Sequence, residues 1–368
     1  MLMIHRECGR AKEKINLGDM MMEIYDFTCN PHMTWLNINK QCNFRCKWCY
    51  TEAGGFSPKD TMSRELAKEL IDISKNAGVE HVNFIGGEPT MWDPLFDMTD
   101  YCRSIGLTSG LITNAALFGD NRYWAEYQKH PNDRISISIK SMRAEEFKNV
   151  TGSTIFNQTV LGIKRAIEFF NTGVTTVYNS LVGLDGLKAI AEETRKLGAK
   201  SIIVNMCSPV IGEDGANASF TIPPEQLATD TLTMCDFLND IYDGEYEVDV
   251  QMPLCLFPQD FIDEMLKKNK IQTICQMFSR GGLNFNHKGD VIPCNELFDT
   301  IVARYGKDFV DAKSLLSFLN QEEMKDFYSQ LLRYPSDECK LCRRQMDCRG
   351  GCLLNWFVFE PSICKHVE

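Results

Sequence analysis

The chain has 368 residues and a formal net charge of −11, from 39 Lys and Arg against 50 Asp and Glu. Its 44% hydrophobic and 24% charged residues are typical of a globular protein, which excludes collagenous and low-complexity classes. The acidic balance argues against a nucleic-acid partner, and about 150 residues per domain predicts two to three domains. Cysteine is unusually frequent, with 16 residues, so the sequence points to thiol or metal chemistry.

The cellular compartment decides how these cysteines are interpreted. Charged residues interrupt the apolar residues of the first 30 positions, so no signal peptide is predicted. No stretch approaches the roughly 18 apolar residues of a membrane helix. We therefore expect a cytoplasmic protein without a membrane partner, whose reduced thiols act as metal ligands or catalysts before they act as disulfides.

Six short apolar or alternating segments predict strands, at residues 35–39, 81–85, 107–113, 134–140, 174–179 and 201–206. Helical periodicity separates them, most clearly over residues 63–77, where Ser63 suits the N-cap and Gly78 the position after the last turn. Further helices are predicted at 155–170, 187–197 and 225–240. Alternating strands and helices predict a parallel α/β sheet, either open or curled into part of a barrel.

A cysteine triplet follows the first predicted strand. Cys42, Cys46 and Cys49 form a C-x3-C-x2-C pattern with Tyr50 directly after it. Three thiolates can bind a four-iron cluster that keeps one iron open for another ligand. The alternatives are an incomplete zinc site or three unrelated core thiols. Because zinc sites favour C-x2-C pairs, the spacing favours iron and sulfur.

The triplet and its aromatic neighbour resemble the signature of the radical SAM superfamily. The resemblance implies that the open iron binds S-adenosylmethionine and that reductive cleavage gives a 5′-deoxyadenosyl radical. The second strand ends in Gly86, Gly87, Glu88 and Pro89, which is similar to the family's GGE(P) motif and implies contact with the amino group of the cofactor. Glycines let a backbone approach a ligand closely, and an ammonium group needs acceptors.

The fourth predicted strand ends with Ser138 and Lys140. This ending is similar to the Asp-hydrophobic-Lys ending of glycyl-radical activating enzymes, with Ser in place of Asp. The resemblance implies that Ser138 faces the ribose of the cofactor and Lys140 its carboxylate. Alternatively, both side chains simply line a strand and Lys140 is solvated. Thr113 and Asn114 stand where the family has a Thr-Asn-Gly turn, and their contact with a ligand is a guess.

The C-terminal third contains a second cysteine field. Seven of its cysteines, together with Gly289, match the spacing of the SPASM branch of radical SAM enzymes. The resemblance implies two auxiliary iron-sulfur clusters, one bound by Cys339, Cys342, Cys348 and Cys364, the other by Cys275, Cys294 and Cys352. We expect Cys255 to complete the second set, although an open iron could meet substrate there instead. A pair of zinc knuckles is the alternative, and Cys8, Cys29, Cys102, Cys207 and Cys235 are interpreted as core or incidental thiols.

The resemblance implies a partial (β/α)6 TIM barrel with a C-terminal SPASM domain. The predicted divisions are an N-terminal extension (1–33), the barrel (34–222), a connecting helical segment (223–254) and the SPASM domain (255–368). The implied cofactors are three [4Fe-4S] clusters and S-adenosylmethionine.

Relatives with this architecture mostly modify peptides or proteins by crosslinking, decarboxylation or dehydrogenation, and we expect the same here. The alternatives are a small-molecule or porphyrin substrate and a noncatalytic electron carrier. An external donor of the flavodoxin or ferredoxin type is expected. Since only about 33 residues precede the first strand, we also expect either a separate leader-peptide-binding protein or a different mode of substrate recognition. No catalytic residue is assigned beyond the cluster ligands, because nothing in the sequence distinguishes Asp290, Glu296 or His287 from ordinary solvated groups.

Overall fold

A computed structural model of the chain describes residues 27–53, 55–212, 215–273 and 275–364. Most of the predicted N-terminal extension, including Cys8, lies outside the described residues. Among the residues that are described, no helix is long and apolar enough to cross a membrane.

The strands and helices follow one another along the whole described chain. The strands are β1 (Met33–Asn37), β2 (His81–Ile85), β3 (Thr108–Thr113), β4 (Arg134–Ile139), β5 (Val174–Tyr178), β6 (Ile202–Met206), β7 (Val210–Gly212), β8 (Gly215–Asn217), β9 (Tyr246–Asp249), β10 (Ile271–Gln272), β11 (Gly282–Phe285) and β12 (Val291–Ile292). The helices are α1 (Tyr50–Ala53), α2 (Arg64–Asn76), α3 (Leu95–Ser104), α4 (Asn121–Tyr127), α5 (Ala144–Thr151), α6 (Phe156–Phe170), α7 (Gly183–Lys196), α8 (Pro224–Tyr242), α9 (Gln259–Lys267), α10 (Gln276–Ser279), α11 (Ala312–Leu319), α12 (Glu322–Ser329) and α13 (Gln345–Cys348).

One ten-stranded sheet organises the molecule, in the order β10-β9-β6-β5-β4-β3-β2-β1-β11-β12. All of its pairings are parallel except the β11–β12 hairpin. Strands β1 to β6 are neighbours in chain order, so right-handed crossovers put their helices on one face and leave the other face concave. The predicted partial barrel is confirmed.

Burial alternates along the central strands. In β5 and β6 every second residue is fully buried, whereas Thr175, Val177, Ile203 and Asn205 keep some exposure. The buried set packs under the helices, as the large apolar core shows. The partly exposed set therefore lines the concave face, which we call the barrel interior.

The predicted helices are present with small shifts at their ends. Helix α2 begins after Ser63, whose side chain accepts a hydrogen bond from Leu66 N at 3.1 Å, and Gly78 follows its last turn with φ +98°. Helix α7 begins four residues before the predicted start at residue 187. The cap and the glycine were therefore reliable signals of where α2 begins and ends.

The C-terminal third joins the barrel sheet, and it does so through paired strands. Met33 to Leu36 of β1 lie in parallel register with Gly282 to Phe285 of β11. At the other edge, β9 pairs with β6 and β10 pairs with β9. The sheet thus crosses the predicted boundaries at residues 222 and 254, and the predicted division into domains stays a prediction.

Candidate cluster and substrate site

The cysteine triplet lies on a loop that is fastened to helix α5. Arg45 N donates to Thr151 O at 2.7 Å, and Lys47 N donates to Val150 O at 3.1 Å. Phe44 is buried and packs edge-on against Phe147, with ring centroids 5.2 Å apart. These contacts hold the loop at the carboxyl end of the sheet, where parallel α/β folds place their sites.

The three thiols of this loop lie close together in a buried position. Burial raises the pKa of Cys42 far above its ordinary value, the charge of Glu88 raises it further, and Cys46 and Cys49 act in the same direction. Burial also raises the pKa of Cys49, whereas the positive charge of Lys140 lowers it. Three soft ligands on one buried loop fit an iron-sulfur core.

The spacing of these side chains differs from that of a single-ion site. Within the described residues, no three His, Cys, Asp or Glu side chains are close enough to hold one metal ion. A cubane cluster bonds each thiolate to a different iron, so its ligands do not need that close approach.

The glycines of the GGEP motif pack against the strand end that leads into the triplet. Gly87 N donates to Asn39 O at 2.8 Å, and Glu88 N donates to Gln41 O at 2.7 Å. A Cβ atom at Gly87 would lie 2.2 Å from Gln41 O, and one at Gly86 would lie 2.6 Å from Asn39 O. The two glycines are therefore needed for this contact, and their predicted contact with a cofactor stays a prediction.

The Glu88 carboxylate is buried and fully hydrogen-bonded. It accepts from Thr90 N at 3.1 Å, Thr90 Oγ1 at 2.6 Å, Thr113 Oγ1 at 2.6 Å and Asn114 N at 2.8 Å. Burial raises its pKa, and these four donors oppose that shift. Glu88 thus ties the end of β2 to the end of β3. Pro89, which follows it, begins a short 3-10 helix.

The turn after β3 reaches the cysteine loop. Asn114 Nδ2 donates to Asn43 Oδ1 at 2.8 Å and lies 4.0 Å from Cys42 Sγ. Ala115 adopts the left-handed conformation at φ +62°, which is the conformation that favours glycine. The turn geometry expected from the resemblance is therefore present without the glycine.

Ser138 and Lys140 meet each other at the end of β4. Lys140 Nζ donates to Ser138 Oγ at 2.7 Å, and both side chains are half-buried. Because the Lys140 charge acts on the Cys49 thiol, this pair lies beside the triplet. The arrangement is consistent with an anion site next to the cluster loop, and the predicted contacts with S-adenosylmethionine stay predictions.

The eight C-terminal cysteines form two groups. Within each group, the charge of one cysteine raises the pKa of a neighbouring one. One comprises Cys255, Cys339, Cys342, Cys348 and Cys364. The other comprises Cys275, Cys294 and Cys352. In the second group, Cys352 Sγ accepts a hydrogen bond from Ser208 Oγ at 3.6 Å.

Cys255 lies in a different group from the one the sequence suggested. It was expected to complete the set of Cys275, Cys294 and Cys352, but it forms a hydrogen bond with Cys364 and lies beside Cys339. The cause is a tertiary contact of the 3-10 turn that contains Cys255. Leu254 N, in the same turn, donates to Cys348 Sγ at 3.2 Å. A pairing across 94 residues leaves no trace in cysteine spacing.

Glu296 lies near both the triplet and the second cysteine group. Its charge acts on Cys49 of the triplet and on Cys294 and Cys352 of the second group. Burial raises the pKa of Glu296 to about 7. The other two candidates belong to the β11–β12 region, where His287 stacks on Phe298 and Asp290 accepts from Tyr305 N at 3.1 Å.

Cys207 is a residue whose location the sequence interpretation missed. It was assigned as an incidental thiol, but the charge of Glu296 acts on it, so it lies at the same site. Burial raises its pKa to about 12. Its position was a usable signal, because Cys207 directly follows β6 as the triplet and Glu88 follow β1 and β2.

Comparison with known proteins identifies a matching family model and several solved structures of similar fold. A family model for the radical SAM superfamily matches residues 36–197. The structure of Streptococcus suis SuiB bound to precursor peptide SuiA has a TM-score of 0.68 at 15% identity, covering 92% of this chain and 76% of that chain. Native anSMEcpe with bound AdoMet and Cp18Cys peptide has a TM-score of 0.62 at 18% identity, covering 89% of this chain and 94% of that chain.

Curated proteins similar in sequence carry a name that refers to GTP cyclisation. A protein of Thermococcus kodakarensis named "Probable GTP 3',8-cyclase" is 24% identical over 136 residues, which is 37% of this chain and 44% of that protein. One of the same name from Saccharolobus islandicus is 30% identical over 134 residues, 36% of this chain and 42% of that protein. This chain therefore spans less than half the length of the curated relatives it matches.

Proposed function

We propose that this chain, whose residues 36–197 match the family model of the radical SAM superfamily, cleaves S-adenosylmethionine reductively and oxidises a side chain of a peptide or protein. The single observation that supports this most is the position of Glu296, whose charge acts on both the triplet and the second cysteine group. A substrate in the barrel interior would lie between the two.

Different residues of the first site would bind the cluster and the cofactor. Cys42, Cys46 and Cys49 would hold a four-iron cluster that, when bound, supplies the electron for cleavage of the cofactor. Lys140 would orient the carboxylate of the cofactor, because an ammonium complements that charge. Glu88 would keep the strand ends in place through its four hydrogen bonds.

The two C-terminal groups would hold auxiliary clusters, giving three clusters in all. Cys275, Cys294 and Cys352 supply three thiols, with Glu296 beside them. The other group supplies five thiols, one more than a cubane cluster needs. Oxidation of a substrate requires an electron acceptor, which such clusters provide. An external flavodoxin or ferredoxin and a separate leader-binding protein are part of this proposal.

A peptide substrate is favoured by the two structural neighbours, whose structures hold a precursor peptide and a Cp18Cys peptide. Their likeness covers about nine tenths of this chain. The second candidate is a nucleotide or other small molecule, favoured by the relatives named for GTP cyclisation, whose likeness covers little more than a third of it.

The test of cleavage uses the anaerobically reconstituted protein. We expect formation of 5′-deoxyadenosine, and we expect Cys46→Ala to abolish it and to remove about four of about twelve irons. Cys102→Ala is the matched control, since Cys102 is a fully buried thiol of helix α3 outside both cysteine fields. Parent-rate cleavage by Cys46→Ala, or stoichiometric zinc without sulfide, would contradict the proposal.

The test of substrate uses mass spectrometry on candidate peptides, beginning with any short peptide encoded beside the gene. A peptide that loses two hydrogen atoms has gained one crosslink or double bond. We expect Cys339→Ala to block this change while leaving uncoupled cleavage of S-adenosylmethionine. Turnover of a nucleotide with no peptide modified would favour the second candidate.

A further inference from the structure

Asn37 presents an unpaired acceptor on the strand that leads to the cysteine loop. Its side chain is fully buried, and Nδ2 donates to Phe285 O at 3.1 Å and to Asn295 Oδ1 at 3.0 Å. Because both partners are acceptors, the orientation of the amide is fixed and the remaining atom is an oxygen. In the described part of the chain, Oδ1 has no hydrogen-bond partner.

Asn284 repeats this arrangement on the neighbouring strand. It is buried in β11, and Nδ2 donates to Pro293 O at 3.4 Å, which again leaves Oδ1 without a partner among the described residues. Asn284 lies in register with Trp35, two residues before Asn37, so all three share one face of the sheet. The Nε1–H of Trp35 also lacks a partner within the described ranges.

Glu296 adds a carboxyl group to these two amide oxygens. It directly follows Asn295, the hydrogen-bond partner of Asn37. Nothing in the described ranges forms a hydrogen bond or ion pair with it, although it lies close to Cys49 and Cys294. Two buried amide oxygens on neighbouring strands and the carboxyl group next to Asn295 are therefore candidate acceptors, and the Trp35 indole is a candidate donor on the same face of the sheet.

Buried acceptors without donors are unfavourable, and native proteins contain few of them. An anionic ligand group would add further acceptors to this set. A primary ammonium group carries three donors and a positive charge, which match two amide oxygens and a carboxyl group.

We propose that Asn37, Asn284 and Glu296 bind a primary ammonium group of the substrate, from a lysine side chain or from a peptide amino terminus. The indole N–H of Trp35 then suits a carbonyl group of the same ligand. This inference rests on the proposed function, because it assigns the chemistry of the substrate bound in the barrel interior.

The test measures binding without turnover, by saturation-transfer NMR on the anaerobically reconstituted protein. The probes are Nα-acetyl-lysine methylamide, Nα-acetyl-norleucine methylamide, which lacks the ammonium group, and glycinamide, which carries it at the amino terminus. We expect at least one ammonium probe to bind about tenfold more tightly than the norleucine probe. The tighter of the two identifies the source of the ammonium group.

Glu296→Gln and Asn284→Ala should each weaken binding of the ammonium probe by about tenfold. Glu225→Gln, on the exposed start of helix α8, should leave binding of the probe unchanged. Thermal unfolding checks that each variant folds. Equal binding of lysine and norleucine probes, or unchanged binding by folded Glu296→Gln and Asn284→Ala, would overturn the inference. Because cleavage of S-adenosylmethionine is measured separately, that result would leave the proposed function standing.

Discussion

At the scale of single residues, Gly87 makes a tight backbone contact at the end of the strand that leads to the triplet. Replacing Gly87 with alanine would put a Cβ atom 2.2 Å from Gln41 O, a backbone atom that can move only with its strand end. We expect Gly87→Ala to displace the loop that begins at Cys42, to lose about four irons per chain, and to lower the free energy of unfolding by about 1–3 kcal/mol.

The control for Gly87→Ala is Gly106→Ala. Gly106 has φ +83°, but a Cβ atom added there would meet no other atom within 4 Å, so only backbone strain of about 1 kcal/mol is expected, with full iron content. Iron analysis and urea unfolding measure both effects. Full iron content in Gly87→Ala would contradict the role given to this contact.

The raised pKa of Glu247 predicts that the stability of the fold depends on pH. It is buried on β9, and burial followed by the charge of Asp249 raises its pKa to about 7. Between its ordinary pKa and about 7 the folded state binds more protons than the unfolded state, so stability falls as pH rises through this window. We expect Glu247→Gln to remove that loss and to be about 1–3 kcal/mol more stable than the parent at pH 8.

The measurement for Glu247 is urea unfolding at several pH values from about 5 to about 8. The conservative variant keeps the shape of the side chain, so the two proteins should converge toward the acidic end of this range. A parent and variant whose stabilities change in parallel over this range would show that Glu247 is not the responsible group.

At the scale of elements, the N-cap residue Ser63 determines where helix α2 begins. Ser63 Oγ accepts from Leu66 N at 3.1 Å. We expect Ser63→Ala to lower the free energy of unfolding by about 1 kcal/mol, because the amide loses its acceptor. Ser63→Asp retains an acceptor and should stay within a few tenths of the parent. Chemical denaturation compares them, and equal losses in both variants would refute the cap.

At the scale of the whole molecule, Arg280 joins the first described residue, Phe27, to helix α11. Its buried guanidinium donates to Phe27 O and, at 2.6 Å, to Leu319 O, and it lies 4.2 Å from the ring centroid of Tyr328. We expect Arg280→Met to lower the free energy of unfolding by about 2–4 kcal/mol, since two buried carbonyl groups lose their donors.

The matched control for Arg280 is Arg304→Met, at an exposed arginine, where a change of about 0.5 kcal/mol or less is expected. Urea unfolding followed by circular dichroism gives both values. Hydrogen exchange should also increase around Phe27 in Arg280→Met alone. A variant as stable as the control would show that the contacts of Arg280 with Phe27 and Leu319 do not stabilise the fold.

The sequence by itself determined the six barrel strands and the main helices, and it identified the cysteines that we propose as cluster ligands. These features depend on local physics: period-2 and helical patterns, caps, and thiols at fixed short spacing. Ser63, Gly78 and the triplet at residues 42–49 could all be identified without a fold.

Only the tertiary structure decided the contacts between distant segments. It assigned Cys255 to the group of Cys339 and Cys364, paired β1 with β11, and brought Glu296 and Cys207 to one site. It also showed that the GGEP glycines pack on residues 39–41 and that Glu88 is already hydrogen-bonded. Such pairings span tens to hundreds of residues. The chain closes those loops because burying apolar surface outweighs the entropy cost, which sequence spacing alone does not reveal.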